Sequence, residues 1–286
     1  MHAEPAVSVV ICTHRRPHLL PSSVEAVLTQ DVEVPFEVVV VNDDDGPLRC
    51  RLPDDPRLRV ITPEHRGLCE GRNAGIRAAR GAIVAFTDDD TVAPPDWLSA
   101  IVDALDAHPE ALGVEGPLDY GRDVDVLYEH VPYTTIPGGY CSCNVAYRRD
   151  AVLAAGLFDV RFATAGAEDI DLGLRVAALG PVISDPAMVM LHPPRAMSVR
   201  ERILMARKVD NDWLLHGKHP ELSGHARPSR FGAVVWRARE QLQMLRDPDV
   251  IDGSPARAAR ATVIAVGTVA VAIGTASSHR MPRFDR

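Results

Sequence analysis

The chain, 286 residues long, predicts an open α/β fold: a sheet with a parallel core, covered by helices on both faces. Three observations predict it. Two near-continuous apolar runs, Val7-Ser8-Val9-Val10-Ile11-Cys12-Thr13 and Phe36-Glu37-Val38-Val39-Val40-Val41, have the pattern of strands buried on both sides rather than one. A helical stretch lies between them, which makes a β-α-β unit with a right-handed crossover. Hydrophobic residues make up 46% and charged ones 24%, ordinary globular usage for a chain long enough to bury a large core.

Each element then has its own signal. Ser22-x-x-Glu25 reads as a capping box ahead of Ala26, Val27 and Leu28 and so opens the connecting helix. Leu58 to Ile61 is a third, short strand; Asn73 to Arg80 is a helix closed by Gly81; Ala82 to Thr87 is the fourth strand. A helix begins near Pro95-Asp96-Trp97, after which the pattern changes to short strands and loops, including Gly138-Gly139-Tyr140 and the run Cys143 to Tyr147. Glu168-Asp169-Ile170-Asp171-Leu172 occupies the first turn of a helix that stops at Gly180, where carboxylates also suit the macrodipole. Ser198-x-x-Glu201 opens a further helix through about Leu215. The expected division is 1–195 for the α/β domain, in halves 1–110 and 111–195, and 196–286 for a helical C-terminal extension with an apolar segment at 261–278.

Composition narrows the function. A formal net charge of -8 argues against a nucleic-acid surface. The five cysteines, Cys12, Cys50, Cys69, Cys141 and Cys143, are odd in number and lack C-x-x-C spacing, so reduced structural thiols are expected rather than a zinc site. Met1-His2-Ala3-Glu4-Pro5 lacks the basic and apolar runs of a secretory leader, and the cytoplasm is the expected location. From Ala261 to Ser278 there is no charge, and Ala, Gly and Thr dilute Val and Ile. A packed helix is favoured there, with a membrane-apposed segment as the alternative, which would put the chain at the inner face of the cell membrane. Arg246, Arg257 and Arg260 mildly favour work at an anionic surface.

The chemistry concentrates at strand ends. Phe86-Thr87-Asp88-Asp89-Asp90 ends an uncharged strand in three adjacent carboxylates, which repel one another unless water, a basic side chain or a metal compensates. Such oxygen ligands suit Mg2+ or Mn2+, which usually bridge a carboxylate to substrate phosphates. In open α/β sheets ligands gather beyond the carboxyl ends of strands, where Thr13, Asn42-Asp43-Asp44-Asp45 and Asp88-Asp89-Asp90 all fall. Blander readings stay open: turn chemistry for Asp45-Gly46-Pro47, a strand cap for Thr13, helix capping for Glu168 and Asp169.

Together these clusters resemble a family 2 glycosyltransferase, the inverting, nucleotide-sugar-using family with the GT-A fold. The resemblance runs from Val7 to His192 in order: Thr13 and Arg16; Asn42-Asp43-Asp44-Asp45-Gly46; Gly67-Leu68-x-x-Gly71-Arg72-Asn73-Ala74-Gly75; Asp88-Asp89-Asp90 with Trp97-Leu98; Asn144 to Arg149; Gly156-Leu157-Phe158-Asp159; and Glu168 to Leu172 with Arg175. It implies a Rossmann-like mixed sheet flanked by helices and transfer of a sugar from a nucleotide-diphosphate donor, UDP first, to a hydroxyl acceptor.

By the same resemblance Thr13 and Arg16 lie at the nucleotide, Asp43 or Asp44 takes the base, and Arg72, Asn73, Asn144 and Arg175 contact the donor. Arg72 and Asn73 are expected at a helix start, where free N–H groups favour an anion. Asp90 is the first choice as Mn2+ or Mg2+ ligand, with Asp88 and His192 completing the site and Asp88 or Asp89 at ribose or metal-bound water. Asp169 is the expected base, with Glu168 able to exchange roles, because displacing a nucleoside diphosphate needs a second carboxylate to take the acceptor's proton. Asp171 is expected to be structural. A glycan, a lipid-linked sugar or a natural product all qualify as acceptor. The competing readings are a nucleotidyltransferase with a similar core and a catalytically silent sugar-nucleotide-binding protein; Walker and dinucleotide glycine motifs are absent.

Overall fold

The computed structural model describes residues 4–64, 67–132, 137–223, the single positions 232, 234, 235 and 239, and 254–278. Arg246 lies outside the described residues. The main sheet is built from β1 (Val7–Thr13), β2 (Phe36–Asn42), β3 (Leu58–Ile61), β4 (Ile83–Asp88), β5 (Gly113–Glu115), β8 (Val145–Arg148) and β9 (Val182–Ser184), in the order β3-β2-β1-β4-β8-β5-β9. The first four strands run parallel, and β8 is antiparallel to both of its neighbours. β1 and β2 are buried almost throughout, as their uninterrupted Val and Ile content requires of strands covered on both faces. Helices α1 (Leu20–Leu28), α2 (Leu68–Ala78) and α3 (Trp97–Ala107) connect the parallel strands and cover them. Val24, Val27, Trp97, Leu98 and Ile101 pack into one apolar cluster with Val7, Val9, Ile11, Val38 and Val40.

Local signals misplace some boundaries. α1 begins at Leu20, with Pro21 in its first turn and no side-chain cap, so the Ser22-x-x-Glu25 pattern lies inside the helix. Proline preset the first turn there, one residue before the Ser22 hydroxyl. α2 begins five residues earlier than Asn73, because Gly67 adopts φ 121°, a conformation that glycine alone takes without strain, and turns the chain into the helix. Gly81 is required by close approach rather than as a helix terminator: a Cβ there would lie 2.7 Å from the Ser8 nitrogen on β1.

Short strands complete the described architecture: β6 (Leu118–Asp119) pairs with β10 (Met190–Leu191), and β7 (Glu129–His130) with β11 (Arg195–Ala196). α4 (Arg149–Ala154) and α5 (Glu168–Ala177) follow β8. The Ser198–Glu201 capping box is formed in both directions, but the helix it opens is broken into α6 (Val199–Leu204), a 3-10 turn (Met205–Lys208) and α7 (Val209–Lys218). The long helix α8 (Pro255–Ser278) follows.

The chain divides into two compact units, and the division is discontinuous. The first comprises Met1–Arg122, Pro132–Ala163 and Glu168–Pro193; the second comprises Asp123–Val131, Thr164–Ala167 and Pro194–Arg286. Within the second unit, Arg257 pairs with Asp125 at 2.6 Å and Arg260 donates to the carbonyls of Leu127 and Met197, which ties the start of α8 to the short internal segment. α8 buries Ala261, Ile264, Ala265, Thr268 and Ala272, while Val263, Val266 and Ile273 stay more than half exposed.

Candidate active site

The strands of the first unit end level: Thr13 pairs with Asn42, and Cys12 with Asp88. Their polar continuations therefore share the carboxyl edge of the sheet. Asp89 turns inward and is buried. It accepts the Thr13 hydroxyl at 2.6 Å and the Arg16 guanidinium at 3.2 Å. Burial pushes its carboxyl up to about 6, against those two partners. Thr13 and Asp89 thus satisfy each other within the rim, leaving neither aimed outward as the sequence suggests.

Asp88 and Asp90 behave differently. Asp90 offers one oxygen to Arg16 at 2.7 Å, while its other oxygen, Oδ1, is buried with no hydrogen-bond partner and lies 3.6 Å from His192 Nε2. Asp88 is partly open, 3.6 Å from Arg72; burial raises its carboxyl, Arg72 lowers it, and the neighbouring Asp90 charge raises it again. His192 arrives from a distant part of the chain because Leu191 bridges to Val92 and the His192 N–H donates to Asp119. One ligand atom each from Asp88, Asp90 and His192 lie within 4.8 Å of one another. Two carboxylates, an imidazole and an unsatisfied buried oxygen fit a divalent ion with oxygen and nitrogen preference such as Mn2+.

The second acidic pair lies one guanidinium away. Arg72 is buried; it donates to Glu168 Oε1 at 2.8 Å and stacks over Phe158 at 5.4 Å. Arg72 and Asn73 lie in the second turn of α2, so the expected anion site on free N–H groups at a helix start does not exist at these residues. With Glu168 held by Arg72, Asp169 is left more open, accepting N–H groups from Ile170 at 2.9 Å and Ser142 at 3.4 Å. Burial first, and then the Glu168 charge, push the Asp169 carboxyl up to about 7, with Arg72 and the two amides opposing. A carboxylate poised there suits proton abstraction near neutral pH.

Glu115, which the sequence does not flag, supports this arrangement. Its buried carboxylate accepts the N–H groups of Gly138 and Tyr140 at 2.6 and 2.7 Å and so holds the loop whose Ser142 N–H reaches Asp169. Tyr140 in turn rests on α5 where Gly173 leaves room: a Cβ there would lie 2.1 Å from the ring. A Glu at the end of a three-residue strand carries no sequence signal, since only folding reveals which amides it serves.

Three expected donor contacts have other duties. The Asn73 amide exchanges hydrogen bonds with the Phe158 backbone at 2.9 and 2.8 Å. Asn144 accepts from the Trp97 indole and donates to the carbonyls of Pro117 and Met188. Arg175 pairs with Asp171 at 2.8 Å and donates to the Ala155 and Leu157 carbonyls, which makes Asp171 structural as expected and Arg175 its partner. Asp43 accepts the Gly67 N–H and Asp44 the Arg15 N–H. Beside them opens a hollow of about 450 Å³ lined by Arg15, Pro17, Asp44, Asp45, Gly46 and Arg49.

Comparison with known proteins fits this geometry. Residues 8–134, which include Asp88 to Asp90, match the family model described as glycosyl transferase family 2. The chain is 31% identical over 178 residues to the glucosyl-dolichyl phosphate glucuronosyltransferase of Haloferax volcanii, covering 54% of this chain and 56% of that protein. It is 32% identical over 158 residues to the succinoglycan biosynthesis protein ExoO of Rhizobium meliloti, covering 51% and 44%. The chain thus spans about half the length of these curated relatives. Among solved structures, the Pyrobaculum calidifontis mannosyltransferase PcManGT, in complex with GDP-Man and Mn2+, aligns with a TM-score of 0.55 at 20% identity, covering 93% of this chain and 87% of that one. S. aureus TarS 1–349 in complex with UDP-GlcNAc aligns at 0.53 and 19%, covering 95% and 90%. At such identities the likeness speaks to the fold, which is of the GT-A type.

Proposed function

We propose that this chain, whose residues 8–134 match the glycosyl transferase family 2 model, moves a sugar from a nucleotide-diphosphate donor to a hydroxyl acceptor with inversion, using a divalent ion and Asp169 as general base. One observation carries the reading: a single buried guanidinium, Arg72, lies between the Asp88 side of a metal-competent cluster and the Glu168-Asp169 pair. Asp88, Asp90 and His192 are the residues that would hold Mn2+ or Mg2+. When bound, such an ion neutralises charge on the departing diphosphate.

The side chains supply the rest. Arg16 offsets the charge of Asp89 and Asp90. Arg72 engages Glu168 by a 2.8 Å hydrogen bond, so that Asp169 is the carboxylate left to take the acceptor's proton. A base on the face opposite the leaving group allows direct displacement, with no covalent intermediate. Asp43 or Asp44 is the candidate for the base of the nucleotide, with Asp44 lining the open hollow. UDP is the first donor to test; GDP-Man and UDP-GlcNAc, the donors in the complexes of the two structural neighbours, supply both arms of the comparison. The reading extends to the inner face of a membrane as the working location, supported by the exposed Val263 and Val266 of α8, a helix long and apolar enough to cross a membrane by length and composition.

The test is donor turnover by the purified chain. With Mn2+ it should release UDP from a UDP-sugar, slowly to water and faster with acceptor, and chelation should abolish both. Undiminished release in the chelated sample would overturn metal dependence, and pyrophosphate release from a nucleoside triphosphate would favour the nucleotidyltransferase reading instead.

A further inference from the structure

The sulfurs of Cys141 and Cys143 lie 3.2 Å apart on either side of Ser142, where the sequence predicts only scattered structural thiols. Among the described residues they are the only two cysteines in contact. Cys141 is half-buried and open to a small reagent, whereas Cys143 is buried. The turn that carries them is closed by the Asn144 N–H donating to the Cys141 carbonyl at 2.8 Å. It is anchored on both sides: Tyr140 N–H on Glu115 at 2.7 Å, and Ser142 N–H on Asp169 at 3.4 Å.

We propose that Cys141 and Cys143 are a modification site, closing to a reversible disulfide that withdraws the Ser142 N–H from Asp169 and so slows proton abstraction. The second half rests on the glycosyltransferase reading; the first does not. A disulfide requires sulfurs about 2.05 Å apart, so closure draws these together by roughly 1.2 Å. The two residues are separated by one residue, and that residue holds the contact to Asp169, so the movement has no long loop in which to dissipate. A ring this short is strained, and strained disulfides are the reducible, regulatory kind.

The oxidant is a small disulfide of the glutathione class. Cys141, the accessible thiol, loses its proton, attacks one sulfur of the small disulfide and expels one thiolate, leaving a mixed disulfide. Cys143 then loses its proton, attacks the Cys141 sulfur and expels the second thiolate. Both thiolates are protonated, so two protein thiols are oxidised and one small disulfide is reduced to two small thiols. Cys143 is placed for the second step by geometry, its sulfur lying 3.2 Å from that of Cys141.

The experiment treats the reduced full chain with oxidised glutathione and follows thiol titration, intact mass and transfer. Of the five cysteines, two thiols should disappear with loss of two hydrogens and no retained glutathione, and a peptide map should join 141 to 143. Transfer should fall on the order of ten-fold or more and return with dithiothreitol, while C141S should keep its activity under the same treatment and C143S should retain one glutathione on Cys141. Five surviving thiols, a stable glutathione adduct or a different linked pair in the wild-type chain would overturn the site. Closure without loss of transfer would overturn the coupling to Asp169. If the reduced protein transfers no sugar at all, the glycosyltransferase reading fails while the thiol result stands.

Discussion

The Asp88–Asp90 strand end and the Glu168–Asp169 helix start carry the same functional group, yet their surroundings prepare them for opposite tasks. At the strand end Arg16 neutralises only part of the charge, and Asp90 Oδ1 beside His192 is left buried without a partner. At the helix start Arg72 takes Glu168 and leaves Asp169 with a carboxyl pushed up to about 7. One site is deficient in positive charge and the other is tuned for a proton. What differs is the number and placement of cations, not the acids themselves.

The sharpest way to break this contrast is Asp90→Ala. It should abolish divalent-dependent donor binding, measured calorimetrically with Mn2+ and a UDP-sugar, while leaving the Asp169 environment intact. Asp169→Asn should do the reverse, sparing donor binding and lowering kcat by about 10²–10⁴-fold. Wild-type transfer to the acceptor by that variant would remove Asp169 from the role of base. Arg72→Met removes the cation between the two pairs and should cost about 3–5 kcal/mol in urea unfolding, since buried Glu168 loses its guanidinium. Little change in the unfolding midpoint would show the pair to be peripheral.

The smallest effect concerns pH. Activity needs ionised Asp169, so kcat/KM should rise with pH along an acid limb near 7. Glu168→Gln should move that limb lower, because it deletes the like charge that raises Asp169. The stability contribution has the opposite sense: with a folded value above the ordinary 3.8, the native state binds more protons between about 4 and 7, and stability falls as pH rises through that window. Glu37 supplies the control. Although burial raises it, bonds from Arg80, Ser8 and Arg59 hold it low, so its contribution is present above the ordinary carboxylate range and lost on acidification.

The fold was legible because its signals are local. Val7–Thr13 and Leu58–Ile61 form strands over the residues their composition marks, and Trp97 opens its helix after Pro95-Asp96 as expected. Legibility fails where a residue answers to a distant partner. Gly81 reads as a helix stop but serves the close approach to Ser8. Asn73 and Asn144 read as ligands, but their amides serve the backbone of Phe158, Pro117 and Met188, reached only in three dimensions. Glu115 carries no pattern at all, and the Cys141-x-Cys143 spacing does not show that the two sulfurs meet until the loop over α5 is in place.

Residue type and spacing alone thus settled the β-α-β core, the level strand ends and the presence of two acidic clusters, since periodicity and backbone register act over neighbouring residues. Folding assigned the roles within those clusters. A carboxylate's charge state depends on which guanidinium, amide or imidazole lies within a few ångströms, and Arg16, Arg72 and His192 come from three separate places in the chain to decide it.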